Sequence, residues 1–337
     1  MPVNVAIVGP QGAGKTTLFN AMTAGRGADG VGMVDIPDER LDRLAEAVHP
    51  QKKTAAQVRV EDSPPGSRAQ RVAFARQSHV LLKVGRGFGP DPEPAVELEE
   101  FALDLVLADL ASVEKRLEVV AKEARAGKKD AQAETEVLTR AKEHLDAGRQ
   151  LRTLEVEPDQ RATLLGIFPV TLKPAVYVAN VGEELLPSGG EPERKLAKLA
   201  GAENAPNIVL SAKLEAELAE LEPAEQAEMR AGYDIDESGL GRIARAVWTA
   251  GGLITYFTAG EPEVRAWPCE MDAPAPIAAS KIHTDFEKHF IRAEVTSVDE
   301  LVAAGSMDAL RAAGKLRIEG RDYRVKDGDV IFFRIGR

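Results

Sequence analysis

The chain has 337 residues, enough for two or three domains, and its 44% hydrophobic, 29% charged composition is that of a globular protein. No apolar run is long enough to cross a bilayer and residues 1–20 lack a basic-then-apolar signal pattern, so a cytoplasmic chain without membrane contact is expected. The single cysteine, Cys269, excludes an intramolecular disulfide and multi-cysteine metal sites, and a net charge of −11 argues against a generalised nucleic-acid surface, so no DNA partner is expected.

Val3-Asn4-Val5-Ala6-Ile7-Val8 is a short apolar run suited to a buried parallel strand. After it comes Gly9-Pro10-Gln11-Gly12-Ala13-Gly14-Lys15-Thr16, a full G-x-x-x-x-G-K-S/T match, and residues 16–22 take up helical spacing. Glycines let the backbone close around a polyphosphate, so that consecutive N–H groups and a helix N-terminus meet the anion. Gly9, Gln11, Gly12, Ala13, Gly14, Lys15, Thr16 and Thr17 are therefore the expected phosphate-binding residues, with Lys15 as the clamp and the Thr16 hydroxyl a ligand for Mg²⁺. The loop alone leaves both small-molecule kinases and GTPase-like switches open.

Residues 24–36 hold four glycines and read as a loop entering a strand; Pro37–His49 then has Leu41, Leu44, Ala45 and Val48 on one helical face. Val58–Asp62 reads as a strand ending in acid, followed by Ser63-Pro64-Pro65-Gly66, and His79–Val84 as another strand. From Glu97, Val106, Leu110, Val113, Leu117, Val120 and Ala124 fall at four- and three-residue steps, a coiled-coil seam. Gly127-Lys128-Lys129 reverses the chain, with Leu138, Ala141 and Leu145 on the returning arm; the charged dressing of this hairpin reads as a solvated face. Strand patterns resume at Ala175–Ala179 and Asn207–Leu210. The expected organisation is a doubly wound α/β domain over residues 1–96 and 150–250, a helical hairpin inserted at 97–149, and a compact α+β unit over 252–337 with short strands around one helix. In that last unit, residues 281–289 crowd two histidines and two carboxylates, but their spacing fits no zinc pattern.

VANVGE (178–183), SAKLEAELAEL (211–221), LITYFTAGEPEVRAW (253–267), KIHTDFEKHFIRAEV (281–295) and GKLRIEGRDYRVKDGDVIFF (314–333) together resemble the YchF/Obg-like ATPase family, as do PDERLDRLAE (37–46) and LVLADLASVEKRLE (105–118). The resemblance implies a P-loop G-domain with an inserted hairpin and a C-terminal ubiquitin-like (β-grasp) TGS domain. It also implies ATP preference, ATP hydrolysis and association with the ribosome; the chain is expected to be a monomer.

Guanine switches use Asn-Lys-x-Asp, whose aspartate accepts two N–H groups of guanine. Here the strand ends in Asn180-Val181-Gly182-Glu183, with a longer carboxylate and no lysine, so guanine selectivity should be weak and ATP/ADP preferred over GTP/GDP. Asn180, Val181 and Glu183, with Ser211, Ala212 and Lys213 as the loop behind the base, complete the expected nucleotide site. The catalytic parts look depleted. No threonine lies between Thr23 and Thr54, where the family carries its first switch loop. If Asp62 is the family's metal-side aspartate, the glycine position falls on Pro65, which has no N–H to donate; shifting the register so that Gly66 fits puts Ser63 in the aspartate's place, and either choice loses a group. The family's His-Val-Val-Arg-Cys-Phe stretch aligns with residues 83–88, which puts Lys83 where a catalytic histidine is expected; Lys83 would bind a phosphate oxygen at most. Slow ATP (GTP) hydrolysis is the leading expectation. A nucleotide-stabilised interaction module without turnover is its rival, and a P-loop small-molecule kinase, with no arginine-rich lid in view, is third.

Overall fold

The computed structural model describes residues 3–125 and 129–336, which fall into two compact units. One comprises residues 3–33 and 59–250; the other comprises residues 34–58 and those from 251 onward. From the amino end the elements are β1 (Asn4–Val8), α1 (Lys15–Met22), β2 (Val31–Asp35), α2 (Glu39–Val48), β3 (Lys53–Thr54), β4 (Gln57–Asp62), α3 (Arg68–Gln77) and β5 (Val80–Gly87). The long α4 (Pro94–Arg125) and α5 (Lys129–Asp146) follow, then α6 (Pro158–Leu165), β6 (Ala175–Val181), α7 (Gly190–Ala202), β7 (Asn207–Leu210), α8 (Ala212–Leu218), α9 (Pro223–Gly232) and α10 (Gly239–Ala250). The last segment holds β8 (Leu253–Ala259), β9 (Val264–Glu270), α11 (Ala275–Ile282), α12 (Asp285–Lys288), β10 (Phe290–Ser297), α13 (Val298–Ala304), α14 (Met307–Ala312), β11 (Arg317–Glu319) and β12 (Asp329–Ile335). Among the described residues no helix is long and apolar enough to cross a membrane.

The first unit is a P-loop α/β domain around a six-stranded sheet ordered β2-β4-β1-β5-β6-β7. The ladders joining β4, β1, β5, β6 and β7 are all parallel. Continuous apolar runs suit strands covered on both faces, and every residue of β6 is buried. Because β1 lies between β4 and β5, the chain reverses its winding there. The loop after β1 therefore opens at a topological switch point, where ligands of such sheets bind.

The hairpin forms as its periodicity requires. Val106, Val113 and Val120 of α4 pack with Val137, Leu138, Ala141 and Leu145 of α5, and Leu110, Leu117 and Ala124 flank them. Gly127 and Lys128 of the expected reversal lie outside the described residues. At its base, fully buried Asp109 accepts hydrogen bonds from the N–H groups of Val170 (3.0 Å) and Thr171 (2.7 Å), which ties α4 to the chain entering β6.

In the second unit the sheet runs β11-β10-β12-β8-β9-β3. A β8–β9 hairpin, helix α11, β10, and β12 laid parallel to β8 make a β-grasp arrangement, with Tyr256, Cys269, Ala278, Phe290 and Phe333 in its core. Among the described residues from 251 onward four short helices accompany the strands, where one was expected, and the DYRV stretch forms only an isolated bridge at Arg324. His283 and Asp285 are exposed, and among the described residues no cluster of His, Cys, Asp and Glu is placed to hold a metal.

Residues 34–58 depart from the expected boundary, which assigned them to the α/β domain. Here β3 pairs with β9, and Arg40 of α2 reaches Asp327 at 2.6 Å with its guanidinium 5.4 Å from the centre of the Phe257 ring. Leu41 and Leu44 are buried as the amphipathic pattern demands. Periodicity says that a helix has an apolar face; it does not say which sheet will cover it.

Candidate functional site

The loop after β1 owes its shape to three glycines. Gly9, Gly12 and Gly14 stand at φ +145°, +82° and +84°, which side chains resist. A Cβ on Gly9 would lie 2.4 Å from the Val84 carbonyl oxygen, and one on Gly14 would lie 2.3 Å from Asn180 Nδ2. The chain thus turns tightly into α1, whose first turn carries no acidic residue and whose N-cap, Gly14, makes no side-chain cap. Gly9, Gln11, Gly12, Gly14, Lys15, Thr16 and Thr17 line a cavity of about 790 Å³; Ala13 is fully buried and offers only backbone. A free helix N-terminus at a cavity favours an anion. Lys15 Nζ donates to the Pro10 carbonyl at 2.7 Å. Burial lowers the pKa of Lys15, Asp62 opposes that shift, and Arg71 adds to it.

The register Ile7↔Asp62 brings the end of β4 beside the end of β1. Thr16 Oγ1 there donates to Asp62 Oδ2 at 2.6 Å, and Asp62 Oδ1 is buried without a hydrogen-bond partner. A hydroxyl next to a carboxylate oxygen with unused lone pairs is the hard-oxygen set that suits Mg²⁺. Ser63, Pro64, Pro65 and Gly66 form the next stretch of the wall, and Phe88, Glu97, Glu100, Phe101, Asp104 and Arg71 complete it. Apart from Phe88, which ends the family-like stretch 83–88, these carry no motif in the sequence; the packing of α3 and α4 beside β5 brings them to the loop.

The base-side residues divide by role. Asn180 is buried: its Nδ2 donates to the Ala13 carbonyl (2.9 Å) and its Oδ1 accepts from Ala212 N–H (2.8 Å), so it fastens the phosphate loop to the β7–α8 loop. Asn180→Ala leaves both backbone groups buried and unpaired and is expected to cost about 2–3 kcal/mol, read as a lower urea midpoint. Ser211 is spent capping α8 through Leu214 N–H. Val181, expected near the base, is 2% exposed and packs in the core with Leu196, so its side chain is closed to a ligand. Glu183 accepts from Lys213 Nζ (2.9 Å) and from the Tyr233 hydroxyl (3.0 Å), and the Lys213 contact, then that of Tyr233, lowers its pKa. None of these residues lines the cavity after β1.

Lys83 is the clear correction. It shares a strand face with Gly85, where a Cβ would meet Pro94, Leu98 and Leu196, and is itself fully buried. Its Nζ meets Tyr177 Oη (2.7 Å), Glu203 Oε2 (3.1 Å) and Gln150 Oε1 (3.2 Å), so it is not a phosphate ligand. Alternation along β5 turned it into the core. Burial, then the charge of Arg152, lowers its pKa to about 7, against the opposing pull of Glu203.

The chain as a whole has close relatives among known proteins. The family model YchF-GTPase_C, described as "Protein of unknown function (DUF933)", matches residues 253–336. The chain is 39% identical over 364 residues to the Ribosome-binding ATPase YchF of Bacillus subtilis, and 37% identical over 360 residues to that of Escherichia coli O157:H7; each alignment covers 99% of both chains. A solved structure, that of the Schizosaccharomyces pombe YchF GTPase, superposes with a TM-score of 0.90 at 26% identity, covering 98% of this chain and 97% of that one. Likeness on this scale extends through both units and the hairpin alike, and on it this chain belongs to the YchF family.

Proposed function

We propose that the chain binds ATP and ADP with Mg²⁺ in the cavity after β1 and acts as a slow ATPase at the ribosome. The observation that carries this reading is the pairing of Thr16 with Asp62, one carboxylate oxygen unspent, beside a glycine-wrapped loop and Lys15. Thr16 and Asp62 would hold the cation, which when bound neutralises phosphate charge. The loop N–H groups and Lys15 would grip the phosphates. The names of the Bacillus subtilis and Escherichia coli relatives support both the ATPase and the ribosome. Ribosome work also supports a cytoplasmic location, and the β-grasp unit is proposed to serve as the TGS domain; the chain is taken to act as a monomer.

ATP rather than GTP follows from the base side. Glu183 is engaged by Lys213 and Tyr233, and Val181 offers no cation to cover a ring. Guanine would find no well-placed carboxylate for its paired N–H groups. Slow turnover is supported by Pro65, which lines the cavity without an N–H, and by Lys83, which is buried away from it. The Bacillus subtilis alignment spans 364 residues against 337 in this chain, so over two dozen positions of the relative go unmatched, in keeping with shortened switch loops.

Two measurements test this. Calorimetry with Mg²⁺-ATP, Mg²⁺-ADP and Mg²⁺-GDP should rank adenine first; a preference for GDP of about tenfold (about 1.4 kcal/mol) would overturn the base assignment. Single-turnover hydrolysis without ribosomes should run on the order of 0.001 per second or slower, as for unassisted switches. Brisk unaided turnover would sink the slow-ATPase reading, and no turnover even with ribosomes would favour an interaction module that uses nucleotide only as a ligand.

A further inference from the structure

We propose that Arg71 supplies the contact to the terminal phosphate of a bound nucleoside triphosphate, and that Asp104 on α4 is the counter-ion it exchanges for that phosphate. This rests on the nucleotide reading above and deepens it. The wall from Ser63 to Gly66 puts two prolines, Pro64 and Pro65, into the cavity, and neither has an N–H to offer a phosphate. Six residues on, in the first turns of α3, Arg71 lines the same cavity as Lys15 and Thr16. Its Nη1 donates to the Gly66 carbonyl and its Nη2 to Asp104 Oδ2, each at 3.1 Å, and its side chain is 37% exposed. A planar fork so placed suits bidentate contact with phosphate.

The wall opposite the loop makes a cation necessary. Glu97, Glu100 and Asp104 of α4 all line the cavity and would repel a polyphosphate. Arg86 neutralises Glu97 at 2.6 Å, which leaves Arg71 as the arginine lining the cavity itself. Arg71 is also free to move at low cost, because Asp104 Oδ1 is held separately by Arg68 Nε at 3.1 Å. When Arg71 turns to phosphate, Asp104 keeps a partner and no carboxylate is stranded. Lys15 already feels Arg71 across the cavity, since the arginine's charge helps lower its pKa. The exchange also removes one ion pair from the base of the hairpin, so α4 senses whether the third phosphate is present.

The test is calorimetry on the full chain with Mg²⁺-ADP and a non-hydrolysable Mg²⁺-ATP analogue. Arg71→Gln is expected to weaken the analogue about tenfold or more while ADP moves by less than about threefold, because one charged hydrogen-bonding pair to the third phosphate is lost. Arg71→Lys should recover part of the loss. Asp104→Asn, which removes the competitor, should tighten the analogue and leave ADP alone. Equal weakening of both ligands by Arg71→Gln, or none, overturns the proposal while leaving the nucleotide reading intact. Wild-type protein that binds neither ligand overturns that reading and this one together. Should Arg71→Gln fail to fold, Asp104→Asn carries the test: an analogue-to-ADP ratio that does not rise refutes the exchange.

Discussion

Lys15→Ala is expected to abolish measurable Mg²⁺-ATP binding at micromolar nucleotide. Lys15 is the cation on the loop itself, half buried at the start of α1; its amine donates to the Pro10 carbonyl in a cavity that Arg71 also lines, and the charge of Asp62 acts on it. A charged donor on a phosphate contributes about 1.5–3 kcal/mol per hydrogen bond, so losing Lys15 should weaken binding by two orders of magnitude or more. The fold should survive, because the loop's shape is set by the φ values of Gly9, Gly12 and Gly14 and by the Asn180 tether, neither of which involves Lys15. Calorimetry checks affinity and a urea titration checks folding. A variant that binds ATP as the wild type does would remove the phosphate role from this loop; an unchanged hydrolysis rate would remove the enzyme reading.

The second large effect is on stability. Lys83→Ala should destabilise the α/β unit by about 3–5 kcal/mol, because it opens a cavity in the sheet and leaves Glu203 short of its nearest cation. Arg152, 3.6 Å from Glu203, is the remaining positive charge beside that carboxylate. Lys83→Met, which keeps most of the volume, should cost less. The two states of the chain also differ in protonation. Folded Lys83 releases its proton near pH 7, whereas an unfolded lysine holds it to about 10.5. Between those values the unfolded chain binds more protons, so stability should rise with pH across that window and be lost as pH falls through about 7. Urea midpoints at about pH 7 and about pH 9.5 read this directly. A Lys83→Met variant whose midpoint climbs with pH as steeply as the wild type would show that another group titrates.

Both effects mark a boundary between what the chain states locally and what folding adds. The phosphate loop was legible because its chemistry is local: three glycines, a lysine and a threonine within eight residues impose one backbone path whatever surrounds it. The hairpin was legible for the same reason, since the seam at Val106, Val113 and Val120 needs only the adjacent arm to bury it. Strand ends at Asp62 and Asn180 followed from short apolar runs and landed beside the loop, as a parallel sheet requires.

Tertiary structure decided what depends on partners distant in sequence. The helix over residues 39–48 announces an apolar face, but two sheets were available and only packing assigned it to the C-terminal unit. Lys83 looked like a catalytic position by alignment, yet the parity of β5 pointed it inward, where Glu203, far along the chain, could pair with it. Asn180 was expected at the base from its motif alone; its second job, tying Ala13 to Ala212 through one amide, appears only in the folded chain. Arg71 carried no motif at all; it reaches the cavity only because α3 and α4 bring it there together with Asp104. A residue's spacing along the chain reports its own backbone, whereas its neighbours across space are chosen by the burial of everything else.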